Sequence, residues 1–373
     1  MMTEMKIGRR RLLMLTAAGV SVAAIGGFGR KARAAETIRW VSPRGTIEVL
    51  DDYPYWVGKK YGYFGDIETT LEPGPSDATA CVKLVDQNQA DVGYPSPGVF
   101  SLGLTQGIPI VSVFEMGGSD VFDFAFRKGE APKDIKGLEG KTVVLGSAGW
   151  QSIADPMLKA AGVDISKVKY VDAGWPTWGT AVKSGQGDAA LSWEGLRAQW
   201  KGQGLDFDYI LGRNFSKLPA NSFIIRKADF DDEAKRKVYA RYLQGWAAGL
   251  EFGRQNPRAA TQIVMEQFPG LSSQMTPAVA TESQMQLANV FAGRWDERKK
   301  WGMHLIDSWN LFFDTGRSIG QITGDFKTED VVKNDLVDEA NQFDAAKVKA
   351  DADGFKLSDD YNKVDVEAIK AAL

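Results

Sequence analysis

Histidine and cysteine each occur once in this chain, at His304 and Cys81, so a zinc cluster, a thiol redox pair or a metal–histidine site has almost no ligands to draw on. A serine or cysteine hydrolase would have to take His304 as its base, yet that residue falls in an amphipathic stretch that reads as a packed helix. An exported lyase or hydrolase could use acids such as Asp51-Asp52 or Glu194, but no carboxylate pair stands out from a solvated helix face. The loop Gly146-Ser147-Ala148-Gly149-Trp150-Gln151-Ser152 has the form of a polar-group cradle between strand and helix, and it lacks the lysine of a nucleoside triphosphate site. Aromatic side chains are abundant instead: 11 Trp, 10 Tyr and 19 Phe. Trp150, Trp175 and Trp193 stand beside glycines at the ends of three strands in one half of the chain. There they would form a stacking wall for a flat or aromatic solute.

Other candidate contacts come from equivalent loops. Arg44, in Ser42-Pro43-Arg44-Gly45, could pair with a carboxylate or sulfonate. Tyr94 and Ser96 precede a helix start at Pro97, Gln151 shares the glycine-rich loop with Trp150, and Glu194 would accept from an amine or imide N–H. No cofactor motif is present.

Composition narrows the class further. At 373 residues, with 44% hydrophobic and 25% charged side chains, the chain has material for about two globular domains, and 45 basic against 48 acidic residues leave no basic footprint for nucleic acid. Residues 1–34 carry Arg9-Arg10-Arg11, a mild apolar stretch at Leu12–Phe28 and a small-residue end at Ala32-Arg33-Ala34, the pattern of a secretory signal of twin-arginine type. Its removal leaves 38 basic and 47 acidic residues, so the exported protein is acidic, near −9. Cys81, within Ala80–Val85, reads as buried.

From Glu36 onward short apolar runs alternate with amphipathic stretches, the grammar of an α/β protein with crossover helices. Strands are expected at Thr37–Val41, Glu68–Glu72, Asp91–Tyr94, Ile110–Phe114 and Val121–Arg127, with Ser76 and Asp77 capping the helix that follows Pro75. After the polar joint Lys128–Pro132 the pattern restarts with strands at Thr142–Leu145, Val168–Asp172 and Ala189–Ser192. An internal echo links the halves: Gln89-Ala90-Asp91-Val92-Gly93 and Gln186-Gly187-Asp188-Ala189-Ala190 each close a helix and open a buried strand. Beyond Ser222–Arg226 the chain is helical, at about 231–254, 257–267, 277–292 and 299–315, and Trp246, Trp295, Trp301 and Trp309 are expected in the core. The organisation is therefore residues 35–130 as the first part of one lobe, 131–220 as a second lobe, and 221–373 returning to the first. The two crossings, near Arg127–Pro132 and Pro219–Ser222, form a hinge beside a cleft.

Several short motifs carry a family resemblance over most of the exported chain: Lys60-Tyr61-Gly62-Tyr63-Phe64, Asn88-Gln89-Ala90-Asp91-Val92-Gly93, Leu138-Glu139-Gly140-Lys141-Thr142-Val143 and Asn256-Pro257-Arg258-Ala259-Ala260. In their order and spacing the chain resembles periplasmic solute-binding proteins of ABC importers, in the group that binds nitrate, sulfonate, taurine and thiamine-pyrimidine precursors. The resemblance implies a two-lobed, type II-like periplasmic binding protein fold that closes on one small molecule and delivers it to a permease driven by a cytoplasmic ATPase. It implies a periplasmic, monomeric protein that performs no chemistry. The same fold includes a fungal pyrimidine synthase that consumes its own histidine and needs a cysteine cluster, which one Cys and one His do not support. Within the family, the Trp loops favour an aromatic or heteroaromatic solute, an acidic one included, over sulfonate, taurine or nitrate, which would want a cationic, less aromatic pocket. An exported enzyme and a ligand-sensing subunit of a membrane receptor are the rival readings.

Overall fold

The computed structural model describes residues 36–75 and 79–373. The export signal expected at residues 1–34 and the Ser76/Asp77 helix cap lie outside the described residues. Among these, two five-stranded sheets are built to one plan. The first contains β1 (Thr37–Val41), β2 (Glu68–Glu72), β3 (Val92–Gly93), β4 (Ile110–Glu115) and β10 (Ser222–Arg226), in the order β2-β1-β3-β10-β4. The second contains β5 (Phe122–Arg127), β6 (Thr142–Leu145), β7 (Lys169–Asp172), β8 (Ala189–Trp193) and β9 (Phe207–Leu211), in the order β7-β6-β8-β5-β9. In each, three parallel strands meet a fourth that runs antiparallel.

The internal echo is a structural repeat. Asp91 accepts from the backbone N–H of Arg39 at 2.9 Å, and Asp188 accepts from that of Thr142 at 2.8 Å. Each aspartate thus ties the start of a short strand to the strand beside it, and satisfies a backbone donor that would otherwise be orphaned.

The strand exchange corrects the expected lobe boundary. β5 pairs with β8 and β9, so residues 122–127 belong to the second lobe and the first crossing is the segment between Glu115 and Phe122. Lys128–Pro132 is the turn that leaves β5. The return crossing lies between Leu211 and Ser222. β9 itself was not anticipated.

Helices flank both sheets. In the first lobe α1 (Tyr53–Tyr61), α2 (Ala80–Asp86) and α3 (Pro97–Thr105) follow β1, β2 and β3; in the second, α4 (Gln151–Ala160), α5 (Trp178–Lys183) and α6 (Leu196–Gly202) follow β6, β7 and β8. Ser96 caps α3, accepting from Val99 N at 3.2 Å, with Pro97 as the first helical residue. After α7 (Lys227–Asp231), α8 (Glu233–Gln255) and α9 (Pro257–Gln267) return to pack on α1, and α10 (Pro277–Phe291) packs on α9. Short helices between Val337 and Ala372 lie against α8, α9 and α10. Residues 299–305 are not helical as expected: α11 (Trp295–Arg298) ends at Lys299 with positive φ, Gly302 is also left-handed, and α12 (Ile306–Ser318) starts afresh. Trp246, Trp301 and Trp309 are buried as the pattern implied, whereas Trp295 is 37% exposed. Cys81 is buried in the apolar cluster beneath β1. No described helix is long and apolar enough to cross a membrane.

Candidate functional site

Loops at strand ends from both sheets converge on one cleft that encloses about 650 Å³, its open mouth included. From the first lobe come Pro43, Arg44, Asp51, Tyr94 and Ser96. From the second come Trp150, Ile153 and Trp193. Val121 and Asn221, on the two crossings, close the hinge side, and Leu287 and Phe291, four residues apart on one face of α10, supply an apolar flank. Both sides of the cleft are held by contacts between lobes. α3 and α12 pack on α4, and α10 packs on α6.

Charge is concentrated on the floor. The Arg44 Nη2 lies 2.6 Å from Asp52 and its Nη1 3.6 Å from Asp51, both carboxylates being buried and the arginine side chain 11% exposed. Burial pushes the Asp52 carboxyl up to about 6 in spite of the guanidinium beside it. Burial also raises Asp51, opposed by Arg44 and by the Trp193 indole N–H, which faces it across the cleft without completing a hydrogen bond. Burial raises the Tyr94 hydroxyl as well. Three buried polar atoms of lining residues have no partner: Arg44 Nε, Trp193 Nε1 and Asn221 Oδ1. Native interiors rarely leave such atoms unpaired, and a cleft in which they meet is set up for a ligand.

The tryptophans form a stack of which the cleft sees only part. Trp193 lies nearly parallel to Trp175 (5.6 Å between ring centres, 13°) and to Trp178 (5.9 Å, 16°), and Trp150 stands edge-on to Trp193 at 5.9 Å and 85°. Trp150 and Trp193 line the cleft. Trp175, 39% exposed, backs them from outside, and Trp178 is buried beneath with its indole donating to Leu191 O.

Besides Trp175, two further sequence candidates lie outside the cleft. Gln151 is exposed, donates to Asp155 at 3.0 Å, and lines an outer depression shared with Gln321. Glu194 follows Trp193 in the turn that ends β8; it is fully buried between Arg197 (2.8 Å) and Arg213 (3.2 Å) and does not line the cleft. Arg44, Tyr94, Ser96, Trp150 and Trp193 do come together. The sequence reading named Asp51 only as an acid of the rival enzyme reading and missed Asn221, Leu287 and Phe291. For the last two, the spacing of four on a helix that returns to the first lobe was the available signal.

His304 makes a serine–histidine–asparagine contact that resembles a catalytic relay. Its Nε2 lies 2.7 Å from Ser112 Oγ and its Nδ1 3.0 Å from Asn334 Oδ1, while Ser112 also meets Ser222 at 2.7 Å. Ser112 and His304 are fully buried and neither lines the cleft, and burial lowers the imidazole to about 3, so it is a neutral structural link between β4 and the C-terminal segment. Among the described residues no three His, Cys, Asp or Glu groups are placed to hold a metal ion.

Comparison with known proteins agrees with this geometry. The chain resembles the alkanesulfonate-binding protein SsuA of Xanthomonas axonopodis pv. citri bound to MOPS, at 11% identity, covering 81% of this chain and 100% of that one with a TM-score of 0.61. It resembles the periplasmic nitrate-binding protein NrtA of Synechocystis PCC 6803 at 14% identity over 87% and 99% of the two chains, again with a TM-score of 0.61. A Candida albicans gene product described as having the generic periplasmic binding protein fold matches at 12% identity over 80% and 96%, with a TM-score of 0.57. The fold is therefore that of the periplasmic binding proteins. Comparison with curated protein sequences finds no match. The family described as NMT1/THI5 like matches residues 51–260, which include Asp51, Tyr94, Trp150 and Trp193 of the cleft but neither Arg44 nor the α10 flank, and the chain belongs to that family.

Proposed function

We propose that this protein is the solute-binding component of an ABC importer, exported to the periplasm, where it captures a small ring-bearing molecule by closing two lobes on it. One observation carries the reading: Trp150 and Trp193 of one lobe face Arg44, Asp51 and Tyr94 of the other across a single cleft at the hinge. A ligand touching both lobes stabilises the closed arrangement, and a membrane permease with its ATPase is the partner that would read that state. The relatives described as binding alkanesulfonate and nitrate support the class. The protein acts as a monomer and without cofactor in this reading.

Small anions of the kind those relatives bind are the second reading, favoured by Arg44 on the cleft floor. An enzyme is the less supported alternative, because the serine–histidine contact is sealed away from the cleft.

A thermal-shift screen of the purified protein, with tryptophan emission followed in parallel, tests the proposal. A ligand at 100 times its dissociation constant adds about 2.7 kcal/mol to the folded state. Stabilisation by ring-bearing solutes with altered emission is expected. Hydrolysis or turnover of a bound compound would overturn the binding-protein reading.

A further inference from the structure

We infer that the cleft is built for an organic cation, a ring-bearing solute whose protonated or quaternary nitrogen sits against the Asp51 carboxylate within an aromatic cage. The inference rests on the binding-protein reading above and specifies its ligand.

The charges in contact with the cleft decide the sign. Of the fourteen residues that line it, only Arg44 and Asp51 are charged. Arg44 is already engaged by two carboxylates, through Nη2 to Asp52 at 2.6 Å and through Nη1 to Asp51 at 3.6 Å. One guanidinium against two carboxylates leaves the floor with a net negative charge. An incoming sulfonate or nitrate would have to take Arg44 from Asp52, whose side chain is 1% exposed, and leave that carboxylate buried without its cation. A cation needs no such exchange. It completes the floor.

Asp51 is the residue positioned to receive it. It is 8% exposed and lines the cavity, and its ion pair with Arg44 is longer than a hydrogen bond, so its oxygens keep acceptor capacity toward the space above. Asn221 Oδ1, buried and unpartnered, adds a second acceptor at the hinge side. Trp193 Nε1 already faces Asp51, which leaves Arg44 Nε to meet a neutral acceptor on the solute.

The walls suit the same charge. Tyr94, Phe122, Trp150, Trp193 and Phe291 surround the space, and aromatic faces carry a negative quadrupole that attracts a desolvated cation. The remaining lining residues are apolar or neutral. The buried ions of the second lobe, Glu194 and Asp123 with Arg197 and Arg213, lie behind β8, pair among themselves and do not line the cleft.

The test is a matched panel at pH 7.5, in which benzene, indole and pyridine rings each carry an alkylammonium, an alcohol, a carboxylate or a sulfonate, with nitrate added. Melting shifts and calorimetry are read on the purified protein. The expected result is that the ammonium forms bind at least tenfold tighter than the alcohols of the same ring and that the anions do not stabilise. Asp51→Asn should erase that tenfold preference. Should that variant fail to fold, Phe291→Leu, which thins the cage without changing charge, should weaken the ammonium forms more than the alcohols. Equal or tighter binding of the anions overturns the inference and leaves the binding-protein reading standing. Silence across every ring and charge overturns both.

Discussion

Arg127 and Arg226 make the same pair of hydrogen bonds, one in each lobe. Arg226 Nη1 donates to Val85 O at 2.9 Å and Ala90 O at 2.6 Å; Arg127 Nη1 donates to Val182 O at 2.9 Å and Gly187 O at 2.6 Å. Each arginine ends the antiparallel strand that its lobe receives, β10 in the first and β5 in the second, and each closes the turn between a helix and the short strand beside it. The exchange of β5 and β10 between sheets is thus locked by equivalent side chains.

The two are not equal in cost. Arg226 also pairs with Asp91 at 2.9 Å and Asp229 at 2.6 Å, at 15% exposure, whereas the extra partner of Arg127 is the exposed Glu130. Arg226→Met strands two carbonyls and takes one cation from each of Asp91 and Asp229, which keep Arg39 and Lys235; it should destabilise the protein by about 2–3 kcal/mol, with Arg127→Met nearer 1–2 kcal/mol. Urea unfolding of both variants checks the order, and equal effects would contradict this assignment.

How much of this could be read from sequence depended on whether the signal was local. The Asp91 and Asp188 echo was visible because each aspartate serves a backbone donor one strand away, which fixes its place at a strand start. The lobe of β5 was not visible, since Phe122-Asp123-Phe124-Ala125-Phe126 alternates identically whichever sheet it joins and only its partners β8 and β9 decide. Trp150 and Trp193 were legible from strand-end position. Asp51 was not: Asp51-Asp52 reads as a solvated pair until Arg44, seven residues earlier, folds over both. Glu194 shows the limit of the same logic, because one step past the end of β8 exchanges cleft for core.

The tryptophans should separate in binding. Trp193→Ala and Trp150→Ala remove cleft walls, and truncation of a central aromatic costs about 2 kcal/mol, or roughly thirtyfold in affinity for the solute found by screening. Trp175→Ala removes only the backing ring and should change affinity by less than about threefold while altering the emission spectrum. Equal losses in all three would mean that the exposed face of Trp175 also holds ligand.

His304 sets a pH dependence whose sign is fixed. Burial, opposed by the hydrogen bond to Asn334, lowers its folded value to about 3 from an ordinary 6.5, so between those limits the unfolded chain binds a proton that the folded chain does not. The stability from this neutral residue is fully present above pH 6.5 and is lost as pH falls toward 3, at up to about 1.4 kcal/mol per pH unit. Glu115 and Asp120, raised by burial to about 7, slope the opposite way between their ordinary values and pH 7. Comparing wild type with His304→Asn by urea unfolding at pH 7.5, 5.5 and 4.5 isolates the histidine. The variant should lose less stability on acidification, and parallel slopes would refute the assignment.

On one flank of the cleft the lobes meet where Gly98 of α3 approaches Ser152 of α4. A methyl group there would lie 2.4 Å from Ser152 O and 2.6 Å from Ser152 C, backbone atoms that no side-chain rotation can clear. Gly98→Ala should force the lobes apart at a cost of about 1–3 kcal/mol to the closed arrangement. Weaker solute binding with an intact far-ultraviolet dichroism spectrum is the expected reading.

On the other flank a polar latch joins α10 to the loop that carries Trp193. Gln286 Oε1 accepts from Gly195 N and Ala198 N, both at 3.2 Å, and Ser283 Oγ donates to Gly195 O at 2.8 Å. Gly195 holds φ at +90°, and a side chain there would strike Leu287, so backbone and helix meet without intervening atoms. These bonds exist only while the lobes touch, and their free energy therefore belongs to the closed state alone. Gln286→Ala removes an acceptor serving two buried donors, worth about 1.4 kcal/mol, which converts to a tenfold fall in apparent affinity when the open form is populated. Small-angle scattering without ligand should show a larger radius of gyration in the variant, and saturating ligand should restore the wild-type value. If affinity and radius both stay unchanged, closure is set by the α3–α4 flank and the contacts of Gln286 are incidental to it.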